Sequence, residues 1–267
     1  MGEPLTVGAL EGALLAVFPR EDAADWDRTG LLLGDPGAEV GKVAVALDPT
    51  VAAISEAAER GCNVLVTHHP PYLDAPDLFQ PADSVARVNG AGVFEAARRG
   101  VALMNFHTAL DFNPRGWRRM PQKLGFACSG VLQPMGGSTG ENGYGALCEA
   151  PAGATVGDVA RRCAEAFGTR PRVWGDSEAP AGLVACGQGS AASLSADCVA
   201  GGVGCLVCGE MKYHAALDLS QAGVAVVELG HDASEFPLVD VLAQQVLESG
   251  VPEGRLEYIR QHNWAAF

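Results

Sequence analysis

The sequence predicts an α/β fold in which helices cover the two faces of a sheet. The chain has 267 residues and 48% of them are hydrophobic, which is enough for one large α/β domain or two smaller ones. Short apolar runs alternate with helical segments along the first 106 residues. These runs show little polar alternation, which is typical of parallel strands buried on both faces.

The first part of the chain gives a regular series of elements. Helices are expected over 7–18, 51–60 and 83–99, and strands over 42–47, 63–67 and 101–106. Gly61 directly follows the second helix, at the position where a helix C-terminus favours glycine. This order predicts a parallel sheet with its helices packed against it.

The second part begins after a looser stretch over 128–143, which is rich in Gly, Ser and Pro and predicts a domain boundary nearby. Thr155 and Asp158 form the start of a capping box for a helix over 155–167. Further helices are expected near 190–200 and over 212–222 and 232–249. Strands are expected at YGALCE, RVW, LVAC, CLVCG, VAVVEL and RLEYIRQ.

Composition excludes several classes of function. A net charge of −14 repels phosphate backbones and makes nucleic acid an unlikely partner. The sequence contains no run of 18 uncharged apolar residues, so no membrane span is expected. The N-terminus does not resemble a secretory signal. The eight cysteines are therefore expected to be reduced thiols of a cytoplasmic protein. Cys205 and Cys208 of CLVC face opposite sides of a strand, which favours core cysteines over a thiolate metal site.

The positions of the histidines point to a functional site. Four of the six follow the end of a predicted strand: His68, His69, His107 and His231. In open α/β sheets, ligands bind beyond the carboxyl ends of the strands. A single histidine at such a place is usually structural, but four of them favour a shared site.

Two carboxylates accompany these histidines. Asp111 lies four residues after His107, and Glu235 lies four residues after His231. Four-residue spacing on a helix places two side chains on one face, although Pro237 suggests that His231 precedes its helix and that Glu235 lies in the first turn. Imidazole and carboxylate ligands suit zinc, iron, manganese or nickel.

The string THHPP predicts a metal-binding corner. Adjacent histidines on a regular strand point to opposite faces, so His68 and His69 can serve one site only if the backbone turns there. Pro70 and Pro71 interrupt the strand at this point.

The strings THHP, HTALD, GEMKYH and ELGHDASE, in this order, resemble the GTP cyclohydrolase 1 type 2 homologue family of NIF-three-like di-metal proteins. GLLLGDP and VAVALDPT are also similar to it, so the resemblance covers nearly the whole chain. It implies two interlinked α/β domains with mixed sheets flanked by helices, assembled as a homohexameric ring. It also implies two divalent metal ions held by His68, His69, Asp111, His231 and Glu235, with Glu235 bridging and His107 close by.

The need for His231 and Glu235 to return to His68 and His69 predicts the domain organisation. We expect a discontinuous metal-binding α/β domain from residues 1–125 and 225–267, and a second α/β domain inserted over 126–224.

A second candidate site is ACGQGSAASL, which places a Gly-x-Gly between a predicted strand and a predicted helix. Backbone N–H groups there can hold a phosphate. A tight turn and a nicotinamide-binding loop are the alternatives, because G-x-G-x-x-G is matched only in part. In GEMKYH, Lys212 is a candidate for neutralising a phosphate, although a solvated residue at a helix start is the simpler interpretation. The predicted substrate-binding residues are Gly187, Gly189, Ser190, Glu210, Lys212 and His214.

The leading functional hypothesis is a di-metal hydrolase acting on a nucleotide or another phosphorylated small molecule, with His107 and Glu235 as catalytic residues. His107 either moves a proton or only orients Asp111. A di-metal phosphoesterase is one alternative. The other is a non-catalytic metal-binding ring protein with a role in metal handling, regulation or scaffolding.

Overall fold

The computed structural model describes residues 4–82 and 88–261, and it has the expected α/β class with two mixed sheets flanked by helices. The chain divides into two compact units. The first unit consists of Met1–Leu110 and Leu238–Phe267, and the second consists of Asp111–Pro237.

The regular elements follow one another in chain order. The helices are α1 Val7–Leu15, α2 Val51–Glu59, α3 Val88–Arg99, α4 Thr108–Asp111, α5 Pro114–Trp117, α6 Arg119–Leu124, α7 Val156–Phe167, α8 Ser195–Ala200, α9 Tyr213–Gln221 and α10 His231–Glu248. The strands are β1 Gly30–Leu33, β2 Val43–Ala46, β3 Val64–Thr67, β4 Ala102–Asn105, β5 Cys128–Pro134, β6 Gly143–Glu149, β7 Arg172–Trp174, β8 Leu183–Ser190, β9 Cys205–Glu210, β10 Ala225–Glu228 and β11 Leu256–Tyr258.

The sheet of the first unit has five strands among the described residues, in the order β1-β4-β3-β2-β11. β11, β2, β3 and β4 pair in parallel, and β1 joins β4 antiparallel at one edge. Val43 and Val45 of β2 pack in a cluster with residues of α1 and α10. Ala44 and Ala46 pack on the opposite face with residues of α2 and α3. Helices therefore cover both faces, as the unalternating apolar strands predicted.

The second unit contains a sheet in the order β5-β6-β8-β9-β10-β7, six strands within the described part of the chain. β8, β9 and β10 are parallel, whereas β5, β6 and β7 pair antiparallel at the two sides. Cys205 and Cys208 of β9 lie in two different core clusters, on opposite faces of the sheet. This arrangement confirms that CLVC is a strand with core cysteines.

Threonine side chains cap the N-termini of several helices. The Thr155 hydroxyl accepts a hydrogen bond from the Asp158 amide, and the Asp158 carboxylate accepts one from the Thr155 amide, so the predicted capping box is present. The hydroxyls of Thr6 and Thr50 cap α1 and α2 in the same way. α1 ends at Leu15, three residues before the expected end.

The region over 128–143 is more regular than predicted. β5 begins at Cys128 and pairs antiparallel with β6. Most residues of this edge strand are only half-buried, so it lacks the continuous apolar run that identifies the central strands. β1 was not predicted as a strand either; it is an edge strand that pairs with β4 alone.

Two expectations about site segments are corrected. β8 continues through Gly187 and Gly189 to Ser190, and α8 starts only at Ser195, so the Gly-x-Gly lies in a strand instead of between a strand and a helix. His231 is the first residue of α10 and does not precede it. Pro237 is compatible with this helix, which continues through it to Glu248.

β10 belongs to the sheet of the second unit, because its backbone pairs in parallel with β9. The second unit therefore extends to Pro237, beyond the expected boundary at 225, and begins at Asp111, before the expected boundary at 126. The predicted domains, 1–125 with 225–267 and 126–224, stay a prediction. Residues 83–87 of the expected helix over 83–99, and His262, lie outside the described residues. Among the helices of the described residues, none is long and apolar enough to cross a membrane.

Candidate metal centre

Three histidines of the first unit lie together at the carboxyl ends of β3 and β4. Thr67 of β3 faces Asn105 of β4 in the parallel register, so the residues that follow them emerge side by side. The ring centroids of His68, His69 and His107 are 4.9, 5.1 and 5.3 Å apart. One ligand atom from each ring lies within 4.8 Å of the other two. The predicted convergence of these side chains is therefore present.

A turn at the end of β3 explains how two adjacent histidines reach the same place. The Thr67 hydroxyl donates a hydrogen bond to the His69 carbonyl, 2.7 Å away. This bond bends the backbone directly after the strand, before the two prolines. His68 is fully buried, whereas His69 is partly exposed.

Each of the paired histidines has its Nδ1 atom engaged by an oxygen. His68 Nδ1 lies 3.1 Å from the Phe106 carbonyl, and His69 Nδ1 lies 2.7 Å from Asp48 Oδ1. An Nδ1–H that donates to such an oxygen leaves Nε2 unprotonated and fixes the ring orientation, which is the usual arrangement of metal-binding histidines. The first unit thus provides a donor set that can hold a divalent ion.

His107 is backed by a buried carboxylate. The Asp27 side chain is fully buried and its Oδ1 lies 3.6 Å from His107 Nδ1. Thr108 donates to Asp27 Oδ2 from its amide at 2.8 Å and from its hydroxyl at 2.6 Å. Burial raises the pKa of Asp27, but the neighbouring His107 ring and the hydrogen bonds from Thr108 outweigh it and lower that pKa from 3.8 to about 2. Asp27 is therefore a fixed negative charge behind His107.

The second unit carries the predicted carboxylate ligands. His231 and Glu235 lie one turn apart on α10, with His231 Nε2 3.1 Å from Glu235 Oε2. A carboxylate oxygen of Asp111 lies within 4.8 Å of one from Glu235. Both carboxylates are buried. Two buried carboxylates this close repel each other, and a cation relieves that repulsion. Glu235 thus lies close to both Asp111 and His231.

Gly189 makes room for Glu235. A Cβ at position 189 would lie 2.2 Å from Glu235 Oε1 and 3.4 Å from His231 Nε2, and the backbone φ of Gly189 is +62°. Only glycine tolerates both this conformation and this contact. The role of Gly189 is thus to let β8 approach the carboxylate closely.

The neighbours of these residues fix α10 against the sheet of the second unit. The Ser234 hydroxyl accepts a hydrogen bond from the Gly189 amide and donates one to the His231 carbonyl. His231 Nδ1 lies 3.1 Å from Glu210 Oε1, which repeats the pattern seen at His69. Because the Gly189 amide is already used, the Gly-x-Gly does not present it to a phosphate.

The negative charges of Asp111 and Glu235 affect the pKa of Tyr144. Its hydroxyl donates to the Gln188 carbonyl at 2.6 Å. Burial first, and then the charges of Asp111 and Glu235, raise the pKa of Tyr144 well above its ordinary value. Gln188 in turn lies 3.4 Å from Asp111 through its side-chain amide. The carboxylates thus create a field that attracts cations.

The residues predicted to bind substrate have different environments. Ser190, Glu210, Lys212 and His214 are exposed, and Gly187 is buried within β8. Lys212 precedes α9 and makes no side-chain capping bond. Glu210 already has a structural role beside His231. Their contact with a substrate stays a prediction.

Four residues were missed in the sequence: Asp27 and Asp48, beside the histidines of the first unit, and Gln188 and Ser234, beside the predicted ligands of the second unit. Asp48 directly follows the β2 region in the string VAVALDPT, so its position at a strand end was a usable signal. Asp27 lies 81 residues before Thr108 in a segment without periodic pattern, and no local signal indicates that contact.

The profile of the Duf34/NIF3 (NGG1p interacting factor 3) family matches residues 5–261. The chain belongs to the Duf34/NIF3 family. This match confirms the resemblance found in the sequence.

Relatives within the Duf34/NIF3 family bear the name GTP cyclohydrolase 1 type 2 homolog. The one from Streptomyces coelicolor is 31% identical over 245 residues, which cover 88% of this chain and 84% of the relative. The one from Clostridium acetobutylicum is 28% identical over 224 residues, 83% of this chain and 82% of the relative. The crystal structure of Staphylococcus aureus hypothetical protein SA1388 superposes with a TM-score of 0.88 at 22% identity, covering 99% of this chain and all of that one. This last similarity establishes the fold.

A first prediction concerns Gly189. The Gly189→Ala variant should lose metal-binding capacity and stability, because the new methyl group would occupy the position of Glu235 Oε1. Gly168→Ala is the matched control: its φ is +66° and no atom lies near its added Cβ. The control should lose about 1 kcal/mol from backbone strain alone. Chemical unfolding and elemental analysis measure the two effects. Equal losses in both variants, with unchanged metal content, would contradict the role given to Gly189.

A second prediction concerns Asp27 and pH. Because its folded pKa is depressed, ionised Asp27 stabilises the fold above its ordinary pKa of 3.8, and this contribution is lost as the pH falls through the folded value of about 2. The difference in unfolding free energy between wild type and Asp27→Asn should therefore shrink over this range, by about 2 kcal/mol at most. Asp25→Asn, an exposed neighbour, is the control. A difference for Asp27→Asn that is constant with pH would show that its ionisation is not linked to folding.

Proposed function

We propose that this Duf34/NIF3 protein is a di-metal-dependent hydrolase that acts on a nucleotide or another phosphorylated small molecule. The observation that carries the proposal is the cluster of His68, His69 and His107. The paired histidines of this cluster are oriented through Nδ1, so that Nε2 is the ring nitrogen that would bind an ion.

The proposed ligands of two divalent ions are His68, His69, Asp111, His231 and Glu235. The intermediate position of Glu235, within reach of both Asp111 and His231, supports a bridging role. The chain connects the two groups of ligands directly, because Asp111 lies only four residues after His107. Mixed nitrogen and oxygen donors favour zinc, iron, manganese or nickel over magnesium or calcium.

Two such ions would supply Lewis acidity and activate water near neutral pH. The protein residues have separate tasks. Asp27 lies on the Nδ1 side of the His107 ring, so Nε2 of that ring is the nitrogen that would accept or donate a proton. The rings of His68 and His69 pack edge-on against the ring of His107. Glu235 would keep the two ions at a fixed separation.

The names of relatives and three exposed polar residues support the substrate class. Relatives carry the printed name GTP cyclohydrolase 1 type 2 homolog, which suggests a guanine nucleotide or a related compound. Lys212 is exposed at the start of α9 and can neutralise a phosphate in a chain whose net charge is −14. Ser190 and His214 are exposed hydroxyl and imidazole groups that can donate hydrogen bonds to it.

A panel of nucleotides and phosphoesters, assayed with the metal-loaded protein and after chelation, tests the proposal. Turnover of a nucleotide that stops with the chelator and returns with one metal supports it. Turnover confined to simple phosphoesters would identify a phosphoesterase instead. Tight metal binding without turnover across the panel would identify a non-catalytic metal-binding protein.

The homohexameric ring and the cytoplasmic location also belong to the proposal. The family resemblance supports the ring, and light scattering of the purified protein tests it. The eight free cysteines suit a reducing compartment, where disulfides are rare. Fractionation of cells that produce the protein tests the location.

A third prediction tests the bridging ligand. Glu235→Gln should lose at least one of the two ions, because an amide is a weaker ligand than an anionic carboxylate oxygen and cannot bridge equally well. Glu248→Gln, at the other end of the same helix, is the control and should keep full occupancy. Elemental analysis after gel filtration measures the metal content. Full occupancy of Glu235→Gln would refute the ligand assignment.

A fourth prediction separates the roles of His107. If His107 carries a proton, His107→Asn should keep both ions, lower the rate by about 100-fold or more and remove one limb of the pH profile. If it only positions Asp111, activity should fall modestly with an unchanged profile. Loss of an ion from this variant would instead make His107 a ligand, an outcome that its place in the histidine cluster allows. Full activity would exclude all three roles.

A further inference from the structure

A small cavity in the second unit exposes a single thiol. Of the eight cysteines, all of which lie in the described part of the chain, Cys128 is partly exposed and the other seven are buried. Cys128 lines a cavity of about 320 Å³ together with Trp117, Arg118, Met135 and other residues over 117–142. The Arg118 guanidinium stacks over the Trp117 ring at 4.5 Å. A small solute can therefore reach Cys128 beside the ion pair of Arg118 and Glu141.

The buried thiol of Cys148 lies opposite Cys128 on the neighbouring strand. Cys128 of β5 and Cys148 of β6 are direct partners in the antiparallel ladder. Their Sγ atoms lie 3.7 Å apart. Direct antiparallel partners have Cα atoms about 4.5–5.5 Å apart, which is within the range that a disulfide requires. Side-chain rotation alone can bring the two sulfurs into bonding distance.

A third thiol favours the thiolate of Cys148. Cys186 on β8 lies diagonally across from Cys148, because its direct partner on β6 is Ala146. A hydrogen bond from Cys186, followed by one from Cys128, lowers the pKa of the Cys148 thiol although burial opposes it. Burial raises the pKa of Cys128 to about 12, while the charge of Arg118 opposes that rise. Both directions favour the thiolate of Cys148 over that of Cys128.

We propose that Cys128 and Cys148 are a redox-modification site, at which a hydroperoxide forms a reversible cross-strand disulfide. This site is separate from the proposed hydrolase function. Its basis is the direct pairing of the two cysteines, the 3.7 Å sulfur separation and the cavity that reaches Cys128.

The chemistry needs only the peroxide as oxidant. The proton shared by the pair moves to Cys148, and the Cys128 thiolate attacks the peroxide. The O–O bond breaks, Cys128 becomes a sulfenic acid, and the leaving hydroxide or alkoxide takes the proton from Cys148, so that water or an alcohol departs and Cys148 becomes a thiolate. The Cys148 thiolate then attacks the Cys128 sulfur, the S–O bond breaks, and hydroxide leaves and takes up a proton. The two thiols lose two electrons and the peroxide gains them. A small thiol reverses the reaction and is itself oxidised to a disulfide.

The fifth prediction is tested on the full-length reduced protein with hydrogen peroxide as the probe. After alkylation in denaturant, the number of reactive thiols should fall from eight to six, and dithiothreitol should restore eight. Peptide mapping should find Cys128 linked to Cys148. Survival of all eight thiols under conditions that oxidise free cysteine, or a different first linkage, would overturn the proposal.

Variants assign the two roles. Cys148→Ala should stop at the sulfenic acid of Cys128, which dimedone traps, and Cys128→Ser should leave Cys148 reduced. Cys62→Ser, a buried cysteine of the first unit, is the control and should still lose two thiols. If Cys148→Ala does not fold, the linkage map of the wild-type protein decides alone. Dimedone labelling of wild type without any linkage would reduce the site to a single oxidisable cysteine and overturn the pair.

Discussion

The parallel hydrogen-bond register of β3 and β4 is the constraint on which the histidine cluster depends. Thr67 faces Asn105 in this register, so the chain leaves both strands at the same level. A slip by one residue would turn every side chain of one strand to the other face. The cluster would then lose its shared edge. The apolar strands are buried on both sides, and this burial holds the register in place.

Negative charges of the protein orient the histidines from behind. Asp48 fixes His69, Asp27 lies behind His107, and Glu210 fixes His231. Each carboxylate increases the electron density on the opposite ring nitrogen and so makes that nitrogen a better ligand or base. The same design occurs in both units, although the carboxylates come from loops and strand ends that are far apart in the sequence. The high acidic content of the chain therefore has a specific use at these positions.

The sequence was sufficient for the strand ends and for the residue types that follow them. Apolar runs identified β3 and β4, and the histidines after them were therefore placed correctly. Long-range contacts could not be predicted from the sequence. The hydrogen bond between Asp27 and Thr108, for example, is accompanied by no periodic pattern in the sequence. The edge strand β5 was missed because half-buried residues do not form an apolar run. The start of α10 at His231 was misplaced because the helix accommodates Pro237, which was given too much weight as a boundary signal.

The order of the two units along the chain has a consequence for biosynthesis. The second unit is one continuous segment, Asp111–Pro237, whereas the core of the first unit also needs Leu238, Leu242 and Val246 of α10. One edge of β2 likewise stays unpaired until β11 is available to pair with it. The ribosome synthesises the middle segment before the rest of α10 and β11. Synthesis of the middle segment takes roughly ten seconds. During that interval the nascent first unit exposes an apolar sheet face and an unpaired strand edge, so its core can close only after α10 and β11 have been translated.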